Sequence, residues 1–228
     1  MGVRIIDLSV GVTHGSGRFG QQVNFQPTHV LAEHGFAATE VTIWSHMGTH
    51  VDAPTHFIEG GRTIDQVPLE WIVGEATILD FSTRRGIVPI TAADLQRLED
   101  RVRGLSIVLL RTGWTDMAWG TERFFTDSPY LSEDGAEWLV DHGFRAVGYD
   151  FSQDPEVRKS GSHGRDYQVH HIMLGQNVLN VEFLTNLGAV RQERFLFVAA
   201  PLRLVGVDGA PCRAFALEGG AGPVRPSP

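Results

Sequence analysis

Residues 46–57 read His46-Met47-Gly48-Thr49-His50-Val51-Asp52-Ala53-Pro54-Thr55-His56-Phe57, and three histidines and an aspartate fall at even steps within them. In an extended segment successive side chains point to opposite faces, so residues two apart share a face. His46, Gly48, His50 and Asp52 are therefore expected on one side of a strand, with Met47, Thr49 and Val51 on the other. A helix would stack His46 on His50 but swing Asp52 roughly 200° away from His50. Gly48 and Pro54 also argue against a helix interior. Histidine pairs four apart arise by chance in many proteins. The added carboxylate, the glycine beside it and the third histidine, His56, past a proline point instead to a site for a divalent metal such as zinc or manganese.

A metal strand needs elements to hold it. Val3–Val10 is rich in β-branched residues and reads as a strand, followed by a long irregular loop over Gly11–Gln26 that is a candidate wall of a site. Glu40–Ser45 reads as a strand running directly into the metal motif, and Glu59–Arg62 as a turn. Further strands are expected at Glu75–Phe81, Ser106–Arg111, Arg145–Asp150, Val178–Leu184 and Arg194–Ala200. Thr91 is placed to cap a helix over 92–98, with Asp94 at the capping-box position. Ser132 is placed to cap a second helix, Glu133–His142, closed by Gly143, and Tyr167–Leu174 reads as a short helix stopped by Gly175. Strands outnumber helices and no linker divides the chain. The expected fold is α/β: a single domain, residues 1–220, on a mixed, strand-rich sheet with flanking helices, followed by a disordered proline-rich tail at 221–228.

A hydrolytic metal site needs further ligands and a proton carrier. His170-His171 is the obvious pair, with Glu182 twelve residues after His170. Glu182 is a carboxylate in an apolar strand, and burying it without a partner would be costly. Alternation puts it on the same face as Asn180. The local pattern does not choose between His170 and His171. His29, His34 and His142 read as surface residues, His14 and His163 sit in glycine-rich loops with no assigned role, and Trp114 and Trp119 read as core or pocket wall.

Composition narrows the partners. Over 228 residues, 42% are hydrophobic and 20% charged, as in an ordinary globular protein. A formal net charge of -8 argues against nucleic acid or an anionic membrane as partner and leaves a small molecule. A single cysteine, Cys212, excludes an internal disulfide and a cysteine-rich metal site. The opening residues carry no signal-like apolar core, and the longest apolar stretch, Phe195–Leu202, is too short to span a bilayer. A cytoplasmic protein is expected.

The run His46–Phe57 resembles, at every position, the signature of the metal-dependent cyclase family, His-x-Gly-Thr-His-x-Asp-x-Pro-x-His-Phe. That family includes bacterial kynurenine formamidases (arylformamidases), isatin hydrolases and proteins named as polyketide cyclases. The resemblance continues through Gly61–Asp65, Leu69–Asp80, the Thr112-Gly113-Trp114 strand end, the Gly148-Tyr149-Asp150-Phe151-Ser152 turn, His170–Leu187, and Pro201-Leu202 with Gly209–Arg213. It implies a swivelling β/β/α-like fold and a dimer or tetramer. It also implies that His46, His50 and Asp52 bind a first metal and that Asp52 bridges to a second held by His170 and Glu182, with Glu182 as a further bridge. His170 is favoured over His171 by the family's spacing of twelve. His56 is implied as proton acceptor and donor. The formamidase branch commonly uses two zinc ions and the isatin hydrolase branch a single manganese.

The chain departs from the formamidases in its first loop, where Thr13–Gly20 holds no tryptophan and only Phe19 is available as an aromatic wall for substrate. Tyr149 replaces a usual small aliphatic residue before Asp150. The expected function is hydrolysis of a carbon–nitrogen bond in a small aryl formamide or cyclic amide, with hydroxide generated at the metal and His56 as general acid and base. A cyclase or lactonase of secondary metabolism on the same site, and a non-catalytic metal-binding module, are the competing readings.

Overall fold

The computed structural model describes residues 2–18, 21–84, 86–159 and 161–219. Nine strands build the main sheet: β1 (Arg4–Asp7), β2 (His50–Asp52), β3 (Val73–Asp80), β4 (Ile107–Arg111), β5 (Ala146–Tyr149), β6 (Leu179–Glu182), β7 (Phe195–Val198), β8 (Gly209–Pro211) and β9 (Phe215–Glu218). Their spatial order is β1-β9-β7-β3-β4-β5-β6-β2-β8. The central strands β3, β4, β5 and β6 run parallel, and both flanks pair antiparallel. The sheet is mixed and curled, with helices packed against it in a single α/β domain, as the sequence implies.

Parallel strands are covered on both faces and so read as continuous apolar runs. Ile107, Val108, Leu109 and Leu110 are all fully buried, and alternation divides them between two cores. Val108 and Leu110 join Val147, Tyr149, Leu95, Phe124 and Leu139 under the helices. Ile107 and Leu109 join Ile6, Val51, Leu179, Val181 and Phe197 on the opposite face. Register then fixes where the polar residues of β6 and β2 go. Asn180 neighbours Val147 on one side and Asp52 on the other, and Glu182 pairs with His50, so all of them lie on the helix-covered face.

Three helices matter for that face. In α1 (Ala92–Gln96) the expected capping box forms, with Asp94 Oδ2 accepting from the Thr91 backbone N–H at 3.0 Å. α2 (Glu133–Asp141) buries Ala136, Trp138 and Leu139, and Gly143 closes it with φ 77°. Ser132 does not cap it through its side chain; its hydroxyl is turned to Ile90 O at 2.9 Å, tying the helix start to a neighbouring strand. α3 (Gln168–Gly175) contains Gly175 rather than ending before it, and the reversal is made by Asn177 at φ 57°. Asparagine tolerates that left-handed conformation through its short polar side chain.

Other expectations need correction near the motif. Gly11–Gln26 is not one irregular loop: Gly17–Arg18 pairs with Gln21–Gln22, and a longer strand starts at Asn24. The strand expected at Glu40–Ser45 is Ala38–Thr42, paired with Asn24–His29 in a separate hairpin, so it does not run into the motif. The extended segment is confined to His50–Asp52. Before it the chain turns, with Met47 N–H donating to Trp44 O at 3.1 Å and Gly48 at φ 66°, a conformation glycine reaches without strain. The tail at 221–228 lies outside the described residues. Among those described, no helix is long and apolar enough to cross a membrane.

Candidate metal centre

Four histidines and four carboxylates meet where β5 and β6 end under α3. The turn at 45–48 brings His46 in from one side, and β2 supplies His50 and Asp52, both essentially fully buried. His56 follows on a short 3-10 turn, Pro54–His56, whose leading proline sets the bend. α3 contributes His170 and β6 contributes Glu182. Asp52 is central: its Oδ1 lies 2.7 Å from His46 Nδ1 and 3.2 Å from His50 Nε2, and its Oδ2 lies 3.5 Å from His170 Nε2. Glu182 reaches the same basin, 3.0 Å from His170 Nε2 and 3.6 Å from His50 Nε2.

Each imidazole is anchored on its other side. His50 Nδ1 donates to Gly48 O at 2.8 Å, and His170 Nδ1 donates to Asp154. His46 Nε2 and His56 Nδ1 both approach Asp208 Oδ2, at 2.8 and 3.3 Å. Such outer contacts fix ring orientation and tautomer, leaving the inward nitrogen as a donor to a cation. Asp154 also accepts the backbone N–H groups of Val169 and His170 at 3.1 and 3.2 Å, so one carboxylate satisfies the N-terminus of α3 and orients the His170 ring. Gln153 donates to Glu182 and lies 3.2 Å from His170 Nε2.

Phe183, next in the chain after Glu182, has φ 57°. For a bulky residue that conformation costs on the order of 1–3 kcal/mol and is held by its surroundings. Its carbonyl accepts Thr49 Oγ1 at 2.8 Å, and its ring lies against His50 and Trp119. The twist ends β6 at Glu182 and turns an aromatic wall over the basin.

The electrostatics of the basin favour positive charge. Burial alone would raise the Asp52 carboxyl, but contacts to His170, His46 and His50 hold it well below the usual carboxylate range. Burial opposes charge on His170, yet Asp154, Asp52 and Glu182 lift it well above an ordinary histidine. Against the same burial, Asp208 and Asp52 lift His46 to about 10. The carboxylates that stabilise charge on these imidazoles would also stabilise a metal cation, which the rings ligate in their neutral form. His56 differs: burial pushes it below the ordinary histidine value, and Asp208 only partly offsets this.

The donors fit a divalent ion. Two sets, His46 with Asp52 and His56, and His50 with Asp52 and Glu182, each place their ligand atoms within 4.8 Å of one another. Asp52 Oδ2 is buried with no hydrogen-bond partner. Leaving such a group unsatisfied costs about 1–3 kcal/mol or more, which a bound cation removes. Imidazole and carboxylate donors suit zinc or manganese. The basin opens into a cavity of about 750 Å³, with Trp44, Phe57, Trp119, Phe125 and Tyr167 among its walls.

The model of the family described as "Putative cyclase" matches residues 6–154. The chain belongs to that family. Kynurenine formamidase from Bacillus cytotoxicus is 32% identical over 178 residues, 77% of either chain. Cyclase-like protein 1 from Arabidopsis thaliana is 31% identical over 188 residues, 79% of this chain and 69% of its own. Isatin hydrolase A from Labrenzia aggregata shares the fold, with a TM-score of 0.81 at 21% identity over 94% of this chain and 93% of that one. The family is one of metal-dependent hydrolases and cyclases, and this chain is an enzyme of that kind. An open basin with a half-buried His56 does not suit a closed structural metal site.

The structure thus gathers His46, His50, Asp52, His56, His170 and Glu182 in one place. It groups them differently from the expectation, since His56 falls as close to Asp52 as a ligand would. His171 turns away, with Nε2 3.2 Å from Gly164 O, and neither His14 nor His163 lines the cavity. Phe19 lies outside the described residues; its neighbours Gly15, Ser16 and Gly17 do line the cavity. Gln153 and Asp208 were not singled out by sequence. Asp154 carried a faint signal, an acid just past a strand that ends in Asp150. Asp208 carried none, because antiparallel pairing of β8 with β2 brings it 162 residues back to His46.

Proposed function

We propose that this enzyme hydrolyses a carbon–nitrogen bond of a small aryl formamide or cyclic amide, using one or two divalent ions held by His46, His50, Asp52, His170 and Glu182. The observation that carries this reading is the convergence of those side chains on Asp52 at the floor of an aromatic-walled cavity. Zinc is the first choice and manganese the second for such donors. When bound there, the ion supplies a Lewis acid for the carbonyl and lowers the pKa of water from roughly 16 towards 7.

The protein's own groups supply the rest. The aryl ring lies among Trp44, Phe57 and Trp119, which orients the carbonyl towards the basin. His56, neutral at working pH because burial disfavours its charged form, takes the proton of the attacking water. The carbon–oxygen bond is made in that attack, and the imidazolium then passes the proton to the leaving nitrogen as the carbon–nitrogen bond breaks. The products are an amine and a carboxylic acid that ionises to carboxylate by releasing its proton to water, and His56 returns to its starting state.

Likeness to a cyclase-like protein supports a second reading, a cyclase or lactonase in secondary metabolism on the same centre. Activity of metal-loaded protein on N-formylkynurenine and on isatin tests the proposal: turnover of either supports hydrolysis, and turnover of neither favours the cyclase. A chain with a single cysteine fits the reducing cytoplasm, and family resemblance supports a homodimer or homotetramer, which light scattering of the purified protein tests.

A further inference from the structure

We propose that Asp208 is a positioning residue of this centre, a single carboxylate that sets the orientation and tautomer of both His46 and His56. The inference rests on the functional reading above and assigns a role to a residue outside the ligand set. Asp208 Oδ2 is 2.8 Å from His46 Nε2 and 3.3 Å from His56 Nδ1, while Oδ1 accepts Ser45 Oγ at 3.2 Å. Three side chains of the segment 45–56 therefore converge on one carboxylate. The two imidazoles they include are stacked, with centroids 3.7 Å apart and planes 23° from parallel.

The carboxylate is seated by backbone. Its own carbonyl accepts Ala53 N–H at 2.9 Å, the carbonyl of Val207 accepts Ile64 N–H at 2.9 Å, and Gly209 pairs with Asp52 in the ladder. Gly209 provides a second, independent observation. A Cβ there would stand 2.8 Å from His46 Cε1 and 2.8 Å from Val51 O, so the chain beside Asp208 lies flush on the ligand ring. The turn at 207–209 is shaped to receive the imidazole.

The chemistry follows from which nitrogen carries the proton. With Nε2–H directed at Asp208, His46 presents the Nδ1 lone pair on the side of Asp52, where a cation would be held. With Nδ1–H directed at the same oxygen, His56 keeps Nε2 as the basic atom that a proton acceptor needs. Asp154 orients one imidazole, that of His170, whereas Asp208 couples a ligand to the proton carrier.

Full-length wild type, Asp208→Ala and Asp208→Asn are compared by Zn2+ affinity in chelator competition, by imidazole 15N shifts of His46 and His56, and by kcat and KM on whichever of N-formylkynurenine or isatin the wild type turns over. Asp208→Ala is expected to weaken Zn2+ binding about 10- to 100-fold and lower kcat similarly, with KM within about threefold. Both imidazoles should leave their wild-type tautomers. Asp208→Asn keeps an acceptor oxygen and should recover a large part of the loss, with the alanine variant's melting curve showing that it folds. Unchanged imidazole signals, a response from only one of the two rings, or loss of a whole equivalent of zinc overturns the proposal, the last by making Asp208 a ligand. A wild type that turns over neither substrate overturns the hydrolase reading, while the 15N shifts still decide the role of Asp208.

Discussion

His50 stands directly opposite Glu182 in the antiparallel ladder between β2 and β6, with Nε2 3.6 Å from Glu182 Oε2. Strand pairing, not a flexible loop, therefore sets the distance between the signature and the distant glutamate. Both are buried, so removing the carboxylate strips the basin of one of the two carboxylates that His50 and His170 face from their inward nitrogens. Glu182→Gln is expected to reduce bound metal by at least about tenfold while preserving the sheet. Metal content and circular dichroism check this; full metal occupancy in the variant would remove Glu182 from the centre.

His56 separates two roles that the geometry places side by side. As the proton carrier, it should be dispensable for metal binding, so His56→Ala keeps its metal and loses about 10²- to 10⁴-fold in kcat. Parallel measurement of metal content and turnover checks the outcome. A fall in metal content as deep as the fall in activity makes His56 a ligand beside His46 and Asp52.

Adjacent histidines on α3 should behave as opposites. His170 is held between Asp154 and Glu182 in the basin, while His171 contacts Gly164 O away from the cavity. His170→Ala is expected to lose metal and activity, and His171→Ala to stay within about threefold of wild type by the usual small effect of such surface changes. Equal losses in a paired assay would contradict the assignment of helix faces.

Asp150 gives the fold a pH signature. Burial raises its carboxyl to about 6 despite hydrogen bonds from Thr112 N–H, Thr112 Oγ1 and Gly113 N–H. Between about pH 4 and 6 the native state then binds more protons here than the unfolded chain does. This contribution to stability is complete below the unfolded value of 3.8 and is lost as pH rises through about 6, a change of about 3 kcal/mol. Denaturant unfolding of wild type and Asp150→Asn across that range should show the difference between the two drift by this amount. Parallel profiles would contradict the shift.

Much of this was legible in the sequence because it is periodic or local. Apolar runs such as Ile107–Leu110 gave the central strands, and the Thr91–Asp94 box gave the start of α1. Even spacing correctly grouped His50 with Asp52, since a strand forms there. It reached His46 by the wrong route: the glycine at 48 turns the chain, and His46 arrives from the far side of a bend. Glu182 was readable as a carboxylate misplaced in an apolar strand. Asp154 was legible only as an acid in the loop past its strand, and Asp208 was not legible, because its role depends on which strand ends meet and nothing local to residue 208 announces a partner at 46.

On the proposed function, catalysis depends on a divalent ion held around Asp52. Turnover of N-formylkynurenine or isatin, followed as metal is stripped by a chelator and then returned as zinc or manganese, tests it most directly. Activity is expected to fall in proportion to bound metal, to return on reloading, and not to return in Asp52→Asn. Undiminished turnover in protein stripped of its metal would contradict that dependence.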